Sequence, residues 1–93
     1  MMTVKVHLPA GLRPHAGGRE RLRVRVEDAT VRGLLAALAA KLPALAERLT
    51  PDGRRLRMGY YLYVGDEEIH ALGGLEAPLA PEAEVTVIAP VLL

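Results

Sequence analysis

The chain has 93 residues, of which 12 are basic and 11 acidic, for a formal net charge of +1. This length supports one domain, because a second core needs roughly 50 further residues, and the small charge gives no general attraction to nucleic acid. Hydrophobic residues make up 51% of the sequence, enough to bury a core. Cysteine and serine are absent, which removes the two commonest side-chain nucleophiles. We therefore expect a single domain over residues 1–93 that is not an enzyme and has no catalytic residue.

Two stretches near the amino terminus alternate between apolar and polar residues, the pattern of a half-buried strand. The first covers residues 3–8. In the second, apolar residues face one way and arginines the other: Leu22, Val24 and Val26 against Arg21, Arg23 and Arg25. Residues 9–18 between them contain two prolines and three glycines, which favour turns. The two stretches predict an amino-terminal hairpin.

The next segment has the periodicity of a helix. Thr30 is a suitable N-cap, because its hydroxyl can accept a hydrogen bond from a free amide of the first turn. Apolar residues then recur at helical spacing: Val31, Leu34, Leu35, Leu38 and Leu42. Pro43 either ends this helix or begins a new turn, with a short second helical piece over residues 45–49. Residues 50–53 are predicted to form a turn.

The last third of the chain predicts further strands. Residues 60–64 and 84–88 alternate like the first two strands, and a short segment around Ile69 lies between them. Residues 72–79 contain Gly73, Gly74 and Pro78, which predicts an irregular crossing loop. The fold class is therefore α+β, a β-grasp (ubiquitin-like) mixed sheet of four to five strands with one main helix packed on one face.

One helix can cover only one face of such a sheet, so the opposite face meets water or a partner. We call it the outer face. It is expected to be polar and aromatic and to be flanked by the arginines of the second strand. Its predicted members are Lys5, His7, Tyr61, Tyr63, Thr86 and Ile88.

Other chemical features favour structural interpretations. The three histidines, His7, His15 and His70, share no metal-ligand spacing, so we expect no metal site and no cofactor. The acidic residues 66–68 do not have the spacing of a calcium loop. Tyrosines and arginines on one sheet face could bind single-stranded nucleic acid, but tyrosine is common in half-exposed strands for its β-propensity alone. A nucleic-acid-binding module is thus the outside alternative.

Several segments together resemble the MoaD/ThiS family of ubiquitin-like sulfur carriers, which includes the small subunit of molybdopterin synthase. The order and spacing of the segments carry the resemblance, which extends over nearly the whole chain and is closer to the molybdopterin branch than to the thiamine branch. The segments are residues 3–13, 29–35, 42–45, 63–69, 74–79 and 84–91.

The resemblance implies a function that depends on the carboxyl terminus. In that family a tail ending in Gly-Gly is adenylated by an enzyme resembling the ubiquitin-activating enzymes, converted to a thiocarboxylate and inserted into a partner. Glycine suits this task because a chain without β-carbons can pass through a narrow channel. Here the sequence reads Leu92-Leu93 at that place. We expect a chain with this ending not to be conjugation-competent; the alternative is a true thiocarboxylate carrier whose native tail is longer.

A protein of this family without the glycine pair is expected to act by protein–protein contacts in molybdenum cofactor biosynthesis or related sulfur transfer. The expected partner resembles the large subunit of molybdopterin synthase or a ubiquitin-activating-type adenylating enzyme. A homo-oligomer is a further expectation, with no membrane or nucleic-acid partner and a cytoplasmic location. The expected partner-binding residues are Pro9, Tyr61, Tyr63, Ile88, Ala89, Pro90, Val91, Leu92 and Leu93.

Overall fold

The structure is a computed structural model that describes residues 1–90. Five strands and two α-helices follow one another in the order β1, β2, α1, α2, β3, β4, β5. Their bounds are Met2–His7 (β1), Arg21–Val26 (β2), Val31–Lys41 (α1), Pro43–Leu49 (α2), Tyr61–Val64 (β3), Glu67–Glu68 (β4) and Glu84–Ile88 (β5). Both strands of the amino-terminal hairpin, the main helix and the last strand are confirmed.

The strands form one mixed sheet in the spatial order β2-β1-β5-β3-β4. β1 pairs antiparallel with β2 and parallel with β5, and β3 pairs antiparallel with β5 and β4. The last strand therefore lies at the centre of the sheet, and the hairpin strand β2 lies at one edge. This is the mixed sheet of the α+β class expected from the sequence.

The core lies between the inner face of the sheet and the helices. The alternation of the strands decides which side chains enter it, because successive side chains point to opposite faces. The largest core residues with less than 2% exposure come from every layer: Leu34, Leu38, Leu45, Leu49, Leu62, Ile69, Val4, Val6, Val26, Val31 and Val85. The outer face is therefore left uncovered by helix, as predicted.

The start of α1 combines a cap with a close backbone approach. The Gly33 amide donates a hydrogen bond to the Thr30 hydroxyl oxygen at 3.1 Å, which confirms the predicted N-cap. A β-carbon at position 33 would collide with the backbone carbonyl oxygen of Asp28. Glycine is thus needed inside this helix, in spite of its low helix propensity, so that the turn from β2 can pack against it.

The sequence allowed Pro43 either to end the first helix or to begin a new turn, and the structure shows the second. Pro43 is the first residue of α2, a position where a missing amide hydrogen costs nothing. The predicted turn at residues 50–53 is confirmed by the Gly53 amide, which donates to the Thr50 carbonyl at 2.9 Å.

Three regions differ in detail from the sequence prediction. The first loop contains a 3₁₀ helix, Ala10–Ala16, which buries Leu12 and Ala16. Two more 3₁₀ helices, Ile69–Leu72 and Gly74–Glu76, occupy the region expected to be a short segment and an irregular loop. Tyr60 precedes β3, because its amide donates to the Arg57 carbonyl at 3.0 Å in a turn and not to a neighbouring strand. No helix within residues 1–90 has the length and apolarity that crossing a membrane requires.

Candidate partner-binding face

The outer face has a charged half in which the side chains pair with one another. Glu82 accepts contacts from two cations, with its Oε1 3.2 Å from Arg23 Nη1 and 3.9 Å from Lys5 Nζ. His7 Nε2 lies 3.0 Å from Glu84 Oε1. This half covers β2, β1 and the beginning of β5. Lys5, His7 and Arg23 thus contact carboxylates of the chain, whereas Arg21 and Arg25 have none within 4.0 Å among residues 1–90.

The other half of the outer face is apolar, and strand register brings its members together. Ile88 is paired directly with Tyr61 across β5 and β3. On the other side of Ile88, β1 and β5 run parallel, and His7 lies opposite Thr86. Continuing this register by two residues places Pro9 opposite Ile88. Ile88 is 43% exposed and Tyr61 49%. These side chains form an apolar surface with no cover from helix.

The residues that follow β5 continue this surface. Ala89 is half-buried and Pro90 is exposed. We call Pro9, Tyr61, Ile88, Ala89 and Pro90 the apolar patch. The remaining predicted binding residues, Val91, Leu92 and Leu93, lie outside the described residues.

Tyr63 lies beside the apolar patch and not at its centre. It pairs with Thr86 on one side and with Glu68 of β4 on the other, and it is half-buried. Both neighbours are polar, so Tyr63 separates the apolar patch from the short edge strand.

Sequence reasoning missed the loop that precedes β3. Met58 is 94% exposed in this loop. Gly59 approaches Pro90 closely: a β-carbon at position 59 would lie 3.4 Å from Pro90 Cγ, and the residue has a positive φ of 86°. The loop therefore borders the apolar patch. The pattern Met58-Gly59 was a weak signal, because only the tertiary contact with Pro90 connects it to the site.

The loop also lines a groove next to the patch. This groove has a volume of about 290 Å³, and its walls include Met58, Tyr61, His70 and Leu75. A partner that covers the apolar patch would find room for a side chain here.

The histidines lie in three separate environments. His7 contacts Glu84, and His70 Nδ1 lies 2.7 Å from Glu68 Oε2, so each has a carboxylate neighbour. His15 lies in the first 3₁₀ helix. In the part of the chain that the structure describes, no three histidines or carboxylates are grouped in a way that could hold a metal ion.

The tyrosines and arginines of the outer face do not form one surface. Arg21 and Arg25 lie on the edge strand β2, whereas Tyr61 lies on β3, with β1 and β5 between them. Three strand spacings amount to about 14 Å. The charged half also places Glu82 and Glu84 between the two groups. A continuous stacking and phosphate-binding surface is therefore not assembled on this face.

Sheet order, helix placement and the uncovered outer face define a ubiquitin-like β-grasp protein. The sequence matches the model of the ThiS family over residues 6–92. The chain belongs to the ThiS family of ubiquitin-like sulfur carriers, whose members are small carriers and not catalysts. This confirms two predictions made from the sequence, the family and the absence of an enzymatic role. No curated protein matches the chain in sequence.

Solved structures agree with this assignment. CysO of Amycolatopsis orientalis, in a complex with BexX, has 28% identity and a TM-score of 0.84, covering 97% of this chain and 98% of its own. SAMP1 of Haloferax volcanii has 30% identity and a TM-score of 0.79, covering 96% of each chain. A putative molybdopterin converting factor subunit 1 from Pyrococcus furiosus shares the fold at 18% identity and a TM-score of 0.73, covering 98% of this chain and 100% of its own.

Proposed function

We propose that the apolar patch is the surface by which this chain binds a protein partner in sulfur transfer, in molybdenum cofactor biosynthesis or a related system. The proposed partner is a ubiquitin-activating-type adenylating enzyme or a protein that resembles the large subunit of molybdopterin synthase. One observation carries the proposal: Ile88 and Tyr61 lie exposed side by side, while Lys5, His7 and Arg23 on the same face contact carboxylates of the chain.

Leaving the apolar patch in water costs free energy that a partner can recover by covering it. Removal of apolar surface from water stabilises a complex by about 25 cal/mol per Å². Ile88 and Tyr61 are both large, and each exposes more than two fifths of its surface. A partner with an apolar surface therefore gains from covering them, whereas covering the charged half would desolvate ion pairs that are already made.

The position of the patch supports a role near the carboxyl terminus. Ala89 and Pro90 follow directly from β5, the central strand of the sheet. A partner that holds the patch would thus hold the chain immediately before Val91. The complex of the Amycolatopsis CysO with BexX gives a precedent for protein binding by a relative, which we extend to this chain.

The proposed binding is tested by titrating a purified ubiquitin-activating-type adenylating enzyme with the chain in a calorimeter. We expect Ile88→Asp to weaken binding at least tenfold, because a charge at the centre of the interface must be desolvated. The control is Ala44→Asp on α2, which adds the same charge to an exposed position in the helical layer. Equal affinities for Ile88→Asp and the unsubstituted chain would refute the proposed face.

For a polypeptide that ends at Leu93, we propose binding without thiocarboxylate formation. In such a polypeptide, Leu92 and Leu93 would place branched side chains in the part of the chain that the family is expected to pass through a narrow channel as bare backbone. The competing function is a true sulfur carrier with a longer native tail. The two differ in whether sulfur becomes attached to this polypeptide.

Intact mass spectrometry distinguishes binding without thiocarboxylate formation from true sulfur carriage. The chain is incubated with the adenylating enzyme, ATP and a sulfur donor, beside the double variant Leu92→Gly/Leu93→Gly. Only the glycine variant is expected to gain the mass that follows from replacing one carboxylate oxygen with sulfur. The same gain in the unsubstituted polypeptide would overturn the proposed loss of carrier chemistry.

A further inference from the structure

The open edge of β2 presents backbone groups in a defined pattern. β2 pairs on one side only, with β1. The Leu8 amide donates to the Glu20 carbonyl at 2.8 Å, which identifies Leu8 and Glu20 as a hydrogen-bonded pair of this antiparallel ladder. Such pairs alternate with non-hydrogen-bonded pairs. The backbone groups that face the open edge therefore belong to the arginines: Arg21, Arg23 and Arg25.

These edge groups are left without partners by the rest of the described chain. Within residues 1–90, no backbone hydrogen bond outside the β1–β2 ladder reaches the amide or carbonyl of these three arginines. Unpaired edge groups of this kind can accept a further strand. The edge therefore offers three amides and three carbonyls at alternate positions.

A groove runs beside this edge, between β2 and α1. It has a volume of about 430 Å³ and is lined on the helix side by Gly33, Ala37 and Ala40. A second, smaller cavity of about 150 Å³ also lies between β2 and α1, and Lys41 lines both. The helix wall consists mainly of small residues, which leaves space for side chains that point inward from an added strand.

The charge of the edge decides what kind of strand fits. Arg21 and Arg25 are exposed, and neither has a carboxylate within 4.0 Å in the described part of the chain, whereas Arg23 contacts Glu82. A second copy of β2 added antiparallel would place arginines opposite arginines, and like charges directly opposite each other destabilise a sheet. The edge thus disfavours its own copy and favours an acidic strand.

We propose that β2 binds an extended acidic segment of another protein as a sixth strand of the sheet. In this segment, Asp or Glu alternates with small apolar residues. The carboxylates lie on the outer face opposite Arg21, Arg23 and Arg25, and the apolar side chains enter the groove over Ala37 and Ala40. The acidic Glu27 and Asp28 at the far end of the groove limit the acidic part to the length of β2.

The pairing is tested by amide hydrogen exchange with a capped nine-residue peptide that alternates glutamate and valine. We expect the peptide to slow exchange at Arg21, Arg23 and Arg25 at least tenfold and to leave Leu22 and Val24 unchanged, because those two amides already face β1. The control for the alternation is a peptide of the same composition in which all the valines precede all the glutamates. A third peptide, N-methylated at every residue, keeps the charge and has no amide hydrogen with which to pair as a strand.

Variants separate strand recognition from general charge attraction. The double variant Arg21→Glu/Arg25→Glu is expected to lose at least tenfold in affinity for the alternating peptide. Arg54→Glu/Arg55→Glu makes the same charge change in an exposed loop away from β2 and is expected to keep the affinity within twofold. Either of two results overturns the proposal: equal loss in both variants, or no slowing of the three arginine amides. If exchange at these amides is not slowed, the edge arginines serve only to keep the protein soluble.

Discussion

The two faces of β3 show how differently this small sheet uses its sides. Leu62 and Tyr61 are neighbours in the strand, yet Leu62 is 1% exposed and Tyr61 is 49% exposed. The inner face is closed by the helices, and the outer face is divided between ion pairs and the apolar patch. Stability thus depends on the inner face, while the outer face is left to contact other molecules.

The largest expected effect comes from the inner face. Leu62→Ala should lower the free energy of unfolding by about 3 kcal/mol, because it removes a buried side chain and leaves a cavity. Denaturant unfolding followed by circular dichroism measures the change. The matched variant Tyr61→Ala, one residue away on the outer face, should cost less than about 1 kcal/mol. Similar losses for the two variants would contradict the division between the faces.

The packing of α1 against the turn after β2 gives a second, smaller effect. Gly33→Ala should lower the free energy of unfolding by about 2 kcal/mol, since the new β-carbon meets the Asp28 carbonyl and the backbone must shift. Thermal unfolding measures this change in stability. Gly11→Ala is the control, because nothing lies within 4 Å of a β-carbon there. A neutral or stabilising Gly33→Ala, the usual result of adding alanine to a helix, would refute this close contact.

The charged half of the outer face should contribute little to stability. Glu82→Gln removes the partner of Arg23 and Lys5, and exposed ion pairs of this kind contribute less than about 1 kcal/mol. This loss of stability should disappear in 1 M salt, where the screening length for exposed charges is only about 3 Å. Denaturant unfolding at low and high salt gives the comparison, with Glu47→Gln on α2 as the control. A loss that persists in high salt would show that Glu82 acts by packing.

The smallest effect concerns a loop outside both faces. The backbone amides of Arg55 and Arg54 donate to the Asp52 carboxylate at 3.0 and 2.9 Å, and they hold the pKa of Asp52 below its ordinary value of 3.8. A native pKa below the unfolded one means that the contribution to stability is present above the unfolded value and is lost as the pH falls through the native one. Titration followed by carboxyl NMR shifts should therefore give a pKa below 3.8. A value at or above it would contradict these hydrogen bonds.

The sequence predicts the elements that have a strong period and a local signal. β2 alternates arginine with leucine or valine, and α1 combines Thr30 with leucines at helical spacing, so both are evident without tertiary information. The 3₁₀ helix Ala10–Ala16 is different. Glycine and proline in that loop favour turns of many kinds, and only contact with the core shows that Leu12 is buried.

The candidate site is predictable in part. Alternation places Tyr61 and Ile88 on the outer face, but it does not show that they are adjacent. The pairing of Tyr61 with Ile88 follows from the antiparallel ladder of β3 with β5, and the placement of Pro9 beside Ile88 follows from the parallel register of β1 with β5. No local pattern encodes either pairing. The same holds for Met58 and Gly59, which join the site through Pro90.

The most direct test of the account is to map the contact surface in solution. Amide NMR shifts of the labelled chain are recorded as a purified ubiquitin-activating-type adenylating enzyme is added. We expect the shift changes to concentrate at Tyr61, Ile88 and Ala89 and to leave α2 unchanged. Changes confined to the helical layer, with Tyr61 and Ile88 unaffected, would contradict it.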